Sequence, residues 1–264
     1  SSIDPNYLSL NVDNTNDNID ILYYTNNQGS ITNLYYTGMD NTLHLTNESS
    51  SITISTEFGN EFKVETFEAC TPIDCGEVMS DYGIQWDYPW EGEETDMRTG
   101  LRLSAYQTRD PLARIACATS HYKLWQKCQN DNEPILILEH DTVFRRKLDP
   151  EFVLNSRYNI VGLNDPIGAT RRARQFDQQV KAAREKGNAI CKIPSVDAFD
   201  VPQGLAGNSA YIIKPKGASA VIAAVDDYGL WPNDAIMCKQ LVKRMGVTTK
   251  YYTHVQGLPS TTTD

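Results

Sequence analysis

The stretch that most constrains this chain is EPILILEHDTVF, residues 133–144. Four apolar residues, Ile135 to Leu138, run straight into Glu139, His140 and Asp141. A short, continuous aliphatic run of this kind reads as a strand buried on both faces. Ionised acids are costly inside a core, so the carboxylates belong at the strand's exit, facing something positive. In an extended chain residues i and i+2 share a face, so Glu139 and Asp141 converge while His140 points elsewhere. Two carboxylates so placed suit a hard divalent cation, which prefers oxygen ligands. They equally suit a strand end whose acids cap the next turn or pair with Arg145 or Arg146.

The flanking pattern sets the fold class. DPLARIACATSHYKLWQKC has apolar residues at helical spacing (Leu112, Ile115, Ala116, Leu124, Trp125), with Asp110 as N-cap and Pro111 in the first turn. FKVETFEA, RYNIVGLND and TTKYYTHV read as strands, and NTLHLT as an earlier one. SSSITISTEF reads as a short helix, although its β-branched residues weaken that reading. RRARQFDQQVKAAREKG is an exposed basic helix closed by Gly187, and GNSAYIIKPKGASAVIAAV a strand, a turn at 214–217 and a helix. PNDAIMCKQLVKRMG reads as one more helix. Strands alternating with helices predict an α/β domain with a mostly parallel central sheet, whose ligands bind beyond the carboxyl ends of the strands. Residues 1–41, rich in Asn and Asp, form a distinct extension, and 42–264 the main domain.

Composition narrows the partners. The 264-residue chain carries a formal charge of −10, which argues against a broad grip on nucleic acid. No apolar run reaches the roughly 20 residues that span a bilayer, and no signal-peptide pattern opens the sequence. The six cysteines lack a zinc-type arrangement, although Cys70 and Cys75 stand close enough to pair or share a metal. A chain of this length does not depend on disulfides, so reduced, structural thiols and a cytoplasmic location are expected.

LARIACATSHYKLWQKC, PILILEHDTVF, GLAGNSAYIIKPKGASAVI and PNDAIM, in that order, resemble the family 25 glycosyltransferases, which include lipooligosaccharide sugar transferases and relatives of the collagen galactosyltransferases. The resemblance covers roughly residues 42–260 and departs from the family pattern in two places. His140 stands where the family's acidic motif has its middle acid, and Ser49, Ser50 and Ser51 stand where basic residues usually follow the first strand.

The resemblance implies a Rossmann-like GT-A domain that binds a nucleotide sugar, UDP-galactose or UDP-glucose, with Mn²⁺ (or Mg²⁺), and inverts the anomeric centre. It implies Glu139, Asp141 and His254 as metal ligands, and Thr46, Asn47, Glu139, His140, Asp141, Gln203, Gly207 and Asn208 at the donor. Asp234 matches the late family Asp and would be the general base for a glycan or other hydroxyl acceptor. Each role has a plainer rival. Asp234 suits an ordinary helix cap, 203–208 a simple turn, His121 a structural hydrogen bond beside Trp125, and Arg171, Arg172 and Arg174 a solvated helix face. The rival from another class is a non-catalytic carbohydrate-binding or assembly module that keeps the fold.

Overall fold

The computed structural model describes residues 21–25, 33–36, 52–55, 61–67, 69–139, 142–170 and 172–255. In chain order these form β1 (Ile21–Thr25), β2 (Asn33–Tyr36), β3 (Ile52–Ser55), β4 (Glu61–Thr66) and α1 (Cys75–Asp81). A hairpin, β5 (Glu93–Asp96) and β6 (Leu101–Ser104), precedes the long helix α2 (Pro111–Asp131). Then come β7 (Ile135–Glu139), β8 (Thr142–Phe144), α3 (Glu151–Leu154), β9 (Ile160–Gly162), α4 (Ala173–Glu185) and β10 (Ile190–Lys192). The chain continues through β11 (Ala210–Ile213), α5 (Pro215–Tyr228), α6 (Asn233–Ile236), β12 (Met245–Thr248) and β13 (Thr253–Val255). Nine strands make one mixed sheet in the order β10-β12-β9-β11-β7-β1-β2-β4-β3.

β7 is buried as its sequence demands. Ile135 and Ile137 face one core with Trp125, Tyr211 and Val221, while Leu136 and Leu138 face a second with Val161, Ile212 and Leu148. This is the period of two expressed as two layers. α2 and α5 pack against each other in the first layer. The Asp110 side chain accepts hydrogen bonds from the Leu112 and Ala113 amides at 2.9 and 3.3 Å, which starts α2 at Pro111 as expected. Leu112 faces outward instead of into the core. Gly187, with φ of 81°, lies just past the end of α4 as expected.

The sheet is not mostly parallel. Among its ladders only β9–β12 and β2–β4 run parallel. β11 is inserted antiparallel between β7 and β9. The reason is local: β11 is reached through the loop 203–209 rather than through a crossover helix, and only a crossover returns a strand in the parallel sense. Residues 52–55 form a strand, not a helix, as their β-branched side chains favour. The helix read from Asn233 onward stops at Ile236, because the Cys238 and Lys239 amides bond to Ile236 and Gln203 carbonyls and the chain then enters β12. Pro215 to Gly217 is the first turn of α5 rather than a separate turn. Strand NTLHLT lies outside the described residues. All six cysteines are free thiols, Cys70 and Cys75 included. No described helix is long and apolar enough to cross a membrane.

Gly217 sets the distance between α5 and the sheet. A Cβ there would stand 2.6 Å from the Asn159 carbonyl oxygen and 2.8 Å from Ile160 Cγ1. Alanine gains about 1 kcal/mol over glycine in a helix interior, but overpacking of a buried contact costs about 1–3 kcal/mol. The clash wins, so Gly217→Ala is expected to lower the urea midpoint. Gly76→Ala in α1, where a Cβ meets nothing within 4 Å, should leave it unchanged or raise it.

Candidate active site

The C-terminal end of β7, the end of β9 and the beginning of β11 meet at one edge of the sheet. There the Ser209 carbonyl accepts the Glu139 amide at 2.7 Å and the Thr142 hydroxyl at 2.5 Å, bracketing residues 140 and 141. His140 and Asp141 themselves lie outside the described residues, as do Thr46, Asn47 and Arg171. The loop leading into β11 packs tightly on its neighbours. A Cβ on Gly204 would stand 2.4 Å from the Met237 carbonyl oxygen and 3.0 Å from that of Asp234. Gly207 has φ of 77°, and a Cβ there would meet Ala169 at 2.7 Å. Glycine is needed at both positions, and the result is a loop wedged between α6 and the segment after β9.

Glu139, half-buried, faces α2. His121 Nε2 lies 3.3 Å from Glu139 Oε1, and His121 Nδ1 lies 2.8 Å from the Tyr211 hydroxyl, which also sits 3.0 Å from Trp125 Nε1. His121, Trp125 and Tyr211 are fully buried. The indole N–H can only donate, so the phenol accepts it and spends its single proton on Nδ1. Nδ1 is then the acceptor, and Nε2 carries the proton that it donates to Glu139. One tautomer of a neutral imidazole satisfies every group in the row. His121 therefore positions a carboxylate, a role beyond packing beside Trp125.

Asp234 stands across the cleft. The α6 N-cap is Pro232, and no side chain caps that helix, so Asp234 is not the ordinary cap it resembles in sequence. Its carboxylate instead lies near enough to the Tyr106 phenol and the Arg114 guanidinium to feel both. The residue keeps solvent-exposed surface while protein packs closely around it. Removal from bulk water pushes its pKa up, and the Glu139 charge adds to the rise, against the Arg114 charge and the Tyr106 phenol. The half-buried Cys117 lines the same cleft, its thiol driven far up by burial and by the charges of Glu139 and Asp234. It is a neutral thiol rather than a nucleophile. Cys117, His121 and Glu139 offer ligand atoms within 4.8 Å of one another. A protonated thiol and an Nε2 already donating to Glu139 suit that cluster to hydrogen bonding.

Other predicted residues divide in two. Asn208 is 5% exposed, and neither atom of its amide has a partner among the described residues. Asn164 accepts from the Thr253 hydroxyl at 3.2 Å, but its Nδ2, beside Gly207, is likewise unpartnered. His254 Nδ1 is buried and has no partner among the described residues; it lies on β13, which pairs with β8 just after the acidic stretch. Buried polar atoms without partners cost about 1–3 kcal/mol each, so a ligand that bonded to them would recover that cost. Gln203 is different. Its Oε1 accepts the Val196 and Asp197 amides and its Nε2 donates to the Ala198 carbonyl, which commits it to bracing that loop. Arg172 pairs with Asp197 at 2.9 Å, and Arg174 is exposed. Tyr106, Arg114, Cys117 and Asn164 carry no signal in the sequence that singles them out. The polar end of GLND was the nearest hint for Asn164.

The model of the family described as "Glycosyltransferase family 25 (LPS biosynthesis protein)" matches residues 45–237. No curated protein matches this sequence.

Two consequences can be measured. Tyr211→Phe keeps the ring but strands Trp125 Nε1 and His121 Nδ1, so the unfolding free energy from urea titration should fall by about 1–3 kcal/mol. Asp234 has a folded pKa above its ordinary value of 3.8. Its protonation therefore favours the fold below that value, and the benefit is lost as pH rises through the raised folded pKa. Asp234→Asn should raise the melting temperature at neutral pH, with a gain that shrinks on acidification. A gain independent of pH would remove the desolvated carboxylate from this account.

Proposed function

The chain belongs to glycosyltransferase family 25, and from that premise we propose an inverting, metal-dependent hexosyltransferase of the GT-A type. Family membership implies glycosyl transfer from a sugar donor to an acceptor. The finer reading takes a nucleotide sugar, UDP-galactose or UDP-glucose, as donor and a glycan or other hydroxyl as acceptor. The observation that carries it is Asp234: a proton-attracting carboxylate near enough to Glu139 to feel its charge. A general base works best when its pKa is drawn toward the operating pH, and desolvation does that here.

In this reading Asp234 takes the proton of the acceptor hydroxyl as its oxygen bonds to the anomeric carbon. The bond to the diphosphate breaks on the opposite face, so the configuration inverts. Asn208 and Asn164 supply the hydrogen bonds that orient the donor, and the Gly204–Gly207 turn lets the backbone approach it. The donor set fits a divalent cation: Glu139 at the end of β7, Asp141 two residues on, and the free Nδ1 of His254. Bound there, Mn²⁺ or Mg²⁺ would neutralise the charge of the leaving diphosphate. His140 and the serines at 49–51 favour the other reading, a binding module that has kept the fold without the transfer.

Calorimetry should show UDP binding more tightly with Mn²⁺ than with EDTA, and Asp141→Ala should abolish the difference. Equal affinity in both buffers rules out the metal role. Asp234→Asn should keep donor affinity while lowering transfer by about 10²-fold or more. An acceptor screen with the unaltered protein comes first, followed by NMR of the product. An α-linked donor should give a β-linked product, and retention would overturn the mechanism. Absence of any nucleotide-sugar binding favours the binding module.

A further inference from the structure

A second concavity, of about 650 Å³, opens at the other edge of the sheet. It lies where β9 and β12 begin and β10 ends, on the far side of the strands from Asn164. From Tyr158 in its wall to Asn164 is six residues of nearly extended chain, about 20 Å at 3.3 Å per residue. The two places are separate.

Its lining has a composition foreign to the rest of the molecule. Arg157, Lys192, Lys243 and Arg244 stand around it with Lys239, and no Asp or Glu lines it. The chain as a whole has 34 acidic and 24 basic side chains, so five cations unrelieved by an acid are a local reversal of charge. None of the five takes part in an ion pair among the described residues. Lys239 is engaged by the Ser195 hydroxyl at 2.6 Å and the Pro194 carbonyl at 3.2 Å, and so forms part of the wall. The other four have exposed side chains. The Arg157 guanidinium lies over the Tyr158 ring, 5.2 Å from its centroid, and donates to the Tyr158 hydroxyl at 3.3 Å. Arg244 holds φ of 60°, a conformation that glycine adopts without strain. Behind the cations the floor is apolar, made by Tyr158, Ile193, Val242 and Met245, all buried.

Like charges left facing one another around a concave surface repel, and an anion seated among them removes that cost. The volume falls in the range of small-molecule sites, about 300–1,000 Å³. An apolar floor under a cationic rim suits a ring carrying charged groups at its margins. The geometry points to a binding site for a phosphorylated saccharide, distinct from the cleft of Asp234. Two phosphates on a sugar ring would meet the cations of the rim, while the ring's apolar face rests on the floor. A nucleic-acid strand fits less well, since it needs an extended basic track and this chain offers a single basic hollow on an acidic surface. The inference stands independently of the transferase reading.

Calorimetry on the full chain tests it, with a hexose bisphosphate, the unphosphorylated hexose, a phosphorylated oligosaccharide and a short RNA as probes. The bisphosphate should bind one to one, weaken with added salt, and lose about tenfold or more in affinity in the double variant Lys192→Glu, Lys243→Glu. Both lysines are exposed, so the variant should melt as the unaltered protein does. Lys216→Glu with Lys250→Glu makes the same change of net charge at exposed positions outside the cavity and should leave the affinity unchanged. Tighter binding of the phosphorylated oligosaccharide identifies a glycan chain as the source of the phosphate, and tighter binding of the bisphosphate identifies a free sugar phosphate. The proposal is overturned if the bisphosphate does not bind, if both double variants weaken it equally, or if RNA binds more tightly and is lost in the cavity variant. Asp234→Asn should bind the bisphosphate normally, which separates failure here from failure of the transferase reading.

Discussion

One carbonyl oxygen organises the candidate active site. Ser209 O receives both the Glu139 amide and the Thr142 hydroxyl, so it holds the chain on either side of residues 140 and 141. That bond exists only because β11 runs antiparallel beside β7, bringing the beginning of one strand to the end of the other. The same insertion places Asn208 at the sheet edge and sets Tyr211 opposite Ile137, where its hydroxyl reaches His121 and Trp125. A parallel β11 would carry its first residues to the far edge and separate all of these groups. Strand direction, more than any single side chain, makes the cleft.

The cleft is also electrostatically costly. Glu139 and Asp234 are two carboxylates close enough for one to raise the proton affinity of the other, and Asp234 is desolvated as well. Folding tolerates this because part of the charge is met: His121 donates to Glu139, and Tyr106 and the nearby Arg114 support Asp234. Arg114 is itself held by the Thr108 hydroxyl and the Gln107 carbonyl and stacks over the Tyr106 ring at 5.1 Å. A purely structural acid in this position is better replaced by an amide. Persistent local cost of this kind is what a reactive site requires and a scaffold does not.

Much of this was legible in the sequence, for identifiable reasons. Asp110 and Pro111 announce α2, Gly187 closes α4, and the unbroken Ile135–Leu138 run announces a strand covered on both faces. These are local signals with local causes. The direction of β11 was not legible, because alternating strands and helices suggest parallel order and nothing within AYII encodes its sense. The stretch after Asn233 misled for a similar reason. Its spacing is helical, yet the tertiary bonds of Cys238 and Lys239 and the left-handed Arg244 override it. Glu139 was singled out by its place at the end of the aliphatic run, and Asp234 through the family resemblance. Tyr106, Cys117 and Asn164 were not, since their importance comes only from contact with residues distant in the chain.

The charge of the whole molecule bears on how such a cleft could take an anionic donor. A nucleotide sugar brings two negative phosphates to a protein of formal charge −10 and to a cleft already holding two carboxylates. At an effective dielectric of about 20, two unit charges 4 Å apart interact by about 4 kcal/mol, so even one unscreened phosphate–carboxylate contact would cancel several good hydrogen bonds. Arg114 cannot offset this alone, because its guanidinium is already engaged by Thr108, Gln107 and the Tyr106 ring. On the transferase reading, a cation held by Glu139 and Asp141 would turn part of that repulsion into attraction. Neutral amides suit the same reading: Asn164 Nδ2 and the Asn208 amide have no partner among the described residues, and an amide would hold a sugar hydroxyl without adding to the repulsion.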